Sequence, residues 1–167
     1  HGGYIEARAR DWSPIDDQRL SPKDLNAPKS MNTLLHVMEA YTTYVQATGD
    51  EKLRQRLADL VAVILDHVVN PEAGCFTLFF AQDWTPLAAT VSYGHDIEGA
   101  WLLVAAASVV DDPALQARAE QAAVAMAEAV LRHGRTADGA VAYEFEPARG
   151  PHPAHTDTDS HWWAQAE

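Results

Sequence analysis

Cysteine occurs once in the 167 residues, at Cys75, so no disulfide can close within the chain. Positive charge is scarce too, with 12 Lys and Arg against 24 Asp and Glu and a formal charge of −12. Such a balance repels a phosphate backbone, and no basic stripe overrides it, so nucleic acid is not expected as a partner. Long apolar runs are missing: the longest, Ala100 to Val110, is about half of the ~20 residues that a membrane-spanning helix needs. No membrane segment is expected. The opening His1-Gly2-Gly3-Tyr4 shows no basic-then-apolar leader, and with the lone cysteine this sets a cytoplasmic chain as the expectation. An initiator methionine is absent, and the closing Trp162-Trp163-Ala164-Gln165-Ala166-Glu167 reads as a helix beginning. Both ends suggest an internal fragment.

What is present is a composition of 47% hydrophobic residues, which argues against disorder and for one globular unit. Residues 1–26, with Pro14 and Pro22, read as a loop holding one short extended piece, Tyr4 to Arg8. Leu34, Leu35, Met38 and Tyr41 or Thr42 follow helical spacing from about Met31 to Ala47, and Gly49 closes that helix. A second helix carries the stripe Leu53, Leu57, Leu60, Val61, Ile64, Leu65 and Val68, and ends at Pro71 and Gly74. Cys75 to Phe80 and Ala89 to Val91, about the turn Asp83-Trp84-Thr85-Pro86, fit a short β-hairpin. Helices are then expected from about Tyr93 to Val110 and, with Asp112 as cap and Pro113 at the first position, on to Arg132 before Gly134. Val141 to Phe145 reads as a strand, the Pro/His/Asp-rich stretch to Ser160 as a loop, and a final helix begins near His161.

That order reads as a repeat of helix pairs. His36 and His95, 59 residues apart, head the similar patterns His36-Val37-Met38-Glu39-Ala40 and His95-Asp96-Ile97-Glu98-Gly99, and the last helix repeats the glutamate at Glu167 without the histidine. Units of this kind bury their faces only against neighbours. In each, the first helix is the more apolar and holds polar residues near its N-terminus. Closure into a toroid would then bring those N-termini, with their free N–H groups and partial positive charge, around one cavity suited to a polyhydroxyl ligand.

The candidate site lies in Ser92-Tyr93-Gly94-His95-Asp96-Ile97-Glu98-Gly99-Ala100-Trp101, where His95 and Glu98 share a helix face at the mouth of the most apolar run. A polar pair there must be partnered or line a cavity. Bland readings compete: a lone histidine on an apolar helix is commonly a satisfied core residue, Glu98 complements a helix dipole, and Trp101 serves packing as well as stacking. Tyr93 and Asp96 read as capping or hydrogen-bonding residues, and His67 and His133 as structural cations at helix C-termini. The run from His152 to Ser160 and His161 is dense in metal-type residues, but a loop with two prolines lacks the fixed spacing of zinc sites. The doubled His-x-x-Glu is similar to di-iron bundles in reversed order, a reading the intervening hairpins oppose. No metal or other cofactor is expected.

Lys29-Ser30-Met31-Asn32-Thr33-x-x-His36-x-x-Glu39-Ala40-Tyr41, Asp83-Trp84, Ser92-Tyr93-Gly94-His95-Asp96-Ile97-Glu98 and Trp162-Trp163-x-Gln165-Ala166-Glu167 together resemble the cellobiose 2-epimerases of the N-acylglucosamine 2-epimerase superfamily. The resemblance implies an all-α fold, part of an (α/α)6 barrel with short β-hairpins between helix pairs. Residues 1–167 would form a single partial domain, incomplete at both ends. It implies epimerisation at C2 of a reducing-end sugar through an enediolate, without a cofactor, on a small-molecule sugar substrate such as a β-1,4-linked disaccharide. His95 matches one of two proton-transfer histidines, His36 a histidine that binds substrate oxygens and assists ring opening, and Glu98 a glutamate that orients the reacting end. Asn32 and Asp24 match sugar-contacting residues, and Trp101, Trp162 and Trp163 match tryptophans lining the pocket. The second proton-transfer histidine falls beyond Glu167. Alternatives within the superfamily are a monosaccharide epimerase and an aldose–ketose isomerase. From a different class, a helical-repeat binding module without catalysis also fits.

Overall fold

The computed structural model describes residues 2–22 and 24–167. A two-residue strand, β1 (Lys29–Ser30), runs straight into helix α1 (Met31–Thr48). The Ser30 hydroxyl starts the helix by accepting the Thr33 N–H, and Gly49 closes it with its own N–H on the Val45 carbonyl. Leu34, Leu35, Met38 and Thr42 are buried as the spacing predicts, and Met31 and Val45 extend the stripe. Helix α2 (Glu51–Val63) follows at once, capped by Asp50, whose carboxylate accepts the Leu53 N–H. Its apolar stripe continues through a π-helical turn, Ile64–Val68, that buries Ile64 and Val68.

Strand β2 (Val69–Asn70) pairs antiparallel with β3 (Cys75–Phe76), and β4 (Phe79–Phe80) returns to β1. Strand β5 (Val91–Ser92) leads into α3 (Tyr93–Val110), and α4 (Pro113–His133) starts on an Asp112 cap with proline at its first position. Strands β6 (Glu144–Glu146) and β7 (His155–Asp157) then form a three-stranded sheet with β5 before the short α5 (Trp162–Ala166).

The expected hairpin between residues 75–80 and 89–91 does not form. β3 pairs backward, β4 pairs with β1, and β5 pairs with β6. The turn about Asp83 is present, but its second arm is 85–87: the Ala81 N–H donates to the Thr85 carbonyl and the Leu87 N–H to that of Phe79. Phe76 and Phe80 are fully buried, and the core that takes them decides which strand edges meet. Tyr4 to Arg8 forms no strand. It is held instead by the Glu6 N–H on the Pro28 carbonyl and by the Glu6 carboxylate, which accepts from the hydroxyls of Ser30 (2.5 Å) and Thr33 (2.8 Å). The loop expected before His161 contains β7, a mostly exposed edge strand whose His-Thr-Asp sequence carries no apolar alternation.

One core joins α1, α2, α3, α4 and the aromatic strands, while Tyr93, Val130 and Ala142 form a second cluster beside it. Helix α3 is central and packs on α1, α2, α4 and α5. Gly99 permits this: a Cβ there would stand 2.0 Å from the Phe76 ring. The helix starts also correct the repeat. Ser30 and Ser92 are the equivalent cap positions, 62 residues apart, so Thr33 shares its register with His95 and His36 shares its register with Glu98.

Candidate active site

The first turn of α3 holds the centre of the site. Ser92 occupies the cap position but makes no side-chain cap bond; its Oγ lies 2.8 Å from Nδ1 of His95. The imidazole also meets Trp163 from α5, with ring centroids 4.8 Å apart. Gly94 makes room for that indole, since a Cβ would stand 2.6 Å from it. Burial, with a smaller contribution from His36, lowers the pKa of His95 to about 4, so the ring is neutral at neutral pH and one nitrogen carries a lone pair. A neutral, fixed imidazole is equipped to take a proton.

Glu98 lies one turn on and is half-buried. Burial raises its pKa, His36 opposes that rise, and Glu167 and Glu39 add to it. His36, Glu98 and Glu167 each stand six residues after the cap of α1, α3 and α5, so three neighbouring helices bring polar groups to one level. His36 itself is exposed, with Nδ1 3.3 Å from Oε2 of Glu39.

Asp96 points the other way. It is 1% exposed, its Oδ1 accepts the Phe76 N–H at 2.7 Å, and its Oδ2 has no partner. Burial pushes its pKa up to about 7, against a smaller lowering by the Phe76 N–H. Its hydrogen-bonding role, anticipated from sequence, is to tie β3 to α3, with the first turn of that helix held in register.

The other candidates fall into separate places. Asn32 and Asp24 line a cavity of about 40 Å³ with Glu6 and Ser30, and neither His95 nor Glu98 is in its lining. The Asp24 carboxylate accepts the Ser21 N–H at 2.7 Å. Trp101 lies farther along α3, in an apolar groove against α4, and its Nε1–H donates to Oε2 of Glu167 at 2.7 Å. Trp162 is 81% exposed, whereas its neighbour Trp163 is the one that meets His95. Among the described residues, no three His, Cys, Asp or Glu side chains converge to hold a metal ion.

Sequence reasoning missed three participants. Tyr143 packs edge-on against Trp163 and stacks on His161 at 3.8 Å. Its pKa is raised by burial, then by Glu144, Asp157 and Asp24, so Asp24 lies within electrostatic reach of the aromatic string that ends at His95. Glu6 brackets Asn32 by holding the hydroxyls of Ser30 and Thr33. Ser92 holds His95. Only the last had a local signal, a serine three residues before a histidine at a helix start; the others are long-range contacts.

Known proteins resemble this chain in sequence and in fold. The sequence matches the N-acylglucosamine 2-epimerase (GlcNAc 2-epimerase) family over residues 6–167. It is 41% identical over 165 residues to a cellobiose 2-epimerase of Bacteroides fragilis, covering 99% of this chain and 41% of that protein. Against a cellobiose 2-epimerase of Ruminococcus albus the identity is 33%, with the same two coverages. A sugar epimerase structure from a ruminal bacterium superposes with a TM-score of 0.87 at 32% identity, covering 98% of this chain and 40% of that one. The cellobiose 2-epimerase structure from Bacillus thermoamylovorans gives 0.81 at 31% identity, covering 94% and 38%. The chain thus spans about two fifths of the length of these relatives. With the match running through both helix pairs and the residues around His95, the chain belongs to the N-acylglucosamine 2-epimerase family.

Proposed function

We propose that this chain forms one wall of the active site of a sugar 2-epimerase that interconverts reducing-end glucose and mannose in a β-1,4-linked disaccharide such as cellobiose. In this reading α1, α3 and α5 belong to the inner ring of an (α/α)6 barrel of the relatives' full length, and residues 1–167 are a part of that one domain. The observation that carries the proposal is His95, a neutral imidazole held by Ser92 and Trp163 at the start of the central helix. The names of the relatives supply the substrate class.

The chemistry follows from these groups. His36 binds substrate oxygens and assists ring opening, which exposes the C1 carbonyl and acidifies the C2 proton. The lone pair of His95 takes that proton; the C2–H electrons pass into an enediolate, whose charge rests on the C1 oxygen. Return of a proton to the opposite face of C2, from a second histidine outside this sequence, gives the epimer, with no net change of oxidation state. Glu98, kept protonated more readily by its burial, orients the reacting end. Asn32 and Asp24 hold hydroxyls, and Trp163, with Trp101 and Trp162, packs on the C–H faces of the sugar.

Product analysis tests this. Protein of the relatives' full length, incubated with cellobiose, is expected to yield the disaccharide with mannose at its reducing end. Failure to form that epimer, or a ketose as the main product, would contradict the proposal.

A further inference from the structure

Two equivalent helix starts use the same residue differently. At α1, Ser30 caps its helix by accepting the Thr33 N–H at 3.1 Å, while its own proton goes to Glu6. At α3, Ser92 makes no such cap bond, and the residue in the place of Thr33 is His95. The hydroxyl that would cap the helix lies instead 2.8 Å from Nδ1 of His95. Ser92 is 0% exposed, so bulk water does not compete for that hydroxyl. Trp163 packs on the same ring, with centroids 4.8 Å apart, so Ser92 is the polar member and Trp163 the apolar member of the pair that holds it.

We propose that Ser92 is the positioning residue of His95, its hydroxyl released from helix capping to accept Nδ1–H and so keep the lone pair on Nε2. A serine oxygen suits this because it accepts from Nδ1–H both in the neutral ring and in the imidazolium. The proton exchanged with a substrate carbon then moves on and off Nε2 alone, with the ring in one orientation whether His95 accepts it in one direction of the reaction or donates it in the other. Being uncharged, the serine holds the ring without the rise in basicity that a carboxylate partner brings, which is compatible with the low proton affinity of a buried His95. The catalytic part of this inference rests on the epimerase reading above; the tautomer part does not.

The test uses protein of the relatives' full length labelled with 15N-histidine, with the His95 signals assigned by their loss in His95→Gln. At pH 8 the wild type is expected to show His95 as the Nδ1–H tautomer, Ser92→Ala to shift it to a mixture, and Ser92→Thr to restore it. Steady-state kinetics on cellobiose are expected to show kcat lowered about 10- to 100-fold in Ser92→Ala with KM within about 2-fold, and recovery in Ser92→Thr. Ser92→Gly provides a second deletion at a position where glycine is tolerated, should the alanine variant not fold. An unchanged tautomer, or an unchanged kcat, in the folded deletion variant overturns the proposal. Failure of the wild type to form the mannose epimer would instead overturn the epimerase reading, and the tautomer result would still decide whether Ser92 positions His95.

Discussion

His95 and Asp96 are neighbours whose burial drives their proton affinities in opposite directions. His95 is lowered from 6.5 to about 4, so the stability it contributes is present above pH 6.5 and is lost as pH falls through about 4. Asp96 is raised from 3.8 to about 7, so its contribution is present below about pH 3.8 and is lost as pH rises through about 7. Between about pH 4 and 6.5 the two slopes oppose each other. Asp96→Asn keeps an oxygen for the Phe76 N–H and removes one slope. The variant's stability relative to wild type is therefore expected to increase from pH 4.5 to pH 7, as read from urea denaturation at each pH; a constant difference would mean that Asp96 is ionised in the fold throughout. The sequence showed both residues at the head of an apolar helix, which made His95 a candidate. That Asp96 faces inward, and that its partner is the Phe76 N–H, depends on a contact between residues 20 positions apart.

At the scale of elements, α1, α3 and α4 were legible nearly to the residue because their stripes, caps and stop signals are local. The strands were not. β1, β4, β5 and β6 are two or three residues long and pair across whole helix hairpins, so neither period nor turn chemistry names their partners. The repeat was visible, but the histidines set its register three residues away from where the caps Ser30 and Ser92 set it. Two variants test how the elements are joined. Gly99→Ala brings a methyl within 2.0 Å of a fully buried phenyl ring whose backbone is tied to Asp96, and is expected to destabilise by at least the ~1–3 kcal/mol typical of overpacking. Ser30→Ala removes a cap and an anchor of Glu6 together, and is expected to cost about 1–2 kcal/mol in chemical denaturation. A neutral result for either would mean that the close packing of α3 on Phe76, or the clamp on α1, does not limit stability.

On the scale of the whole molecule, polar groups of the three alternate helices α1, α3 and α5 stand at one level, while Asp24 and Asn32 line a separate cavity. In the proposed reading the sugar bridges these parts, and a second proton donor comes from elsewhere in a chain of the relatives' length. The isolated 167 residues are accordingly expected to show no appreciable C2 epimerisation of cellobiose, a result checked by product analysis and contradicted by robust turnover. The most direct measurement concerns His95 in protein of full family length. Proton NMR in deuterated water follows replacement of the C2 hydrogen of the reducing-end sugar. With His95→Ala, incorporation of deuterium at C2 is expected to fall by at least about 100-fold, the loss expected for a missing general base. Exchange at the wild-type rate in that variant would remove His95 from the reaction.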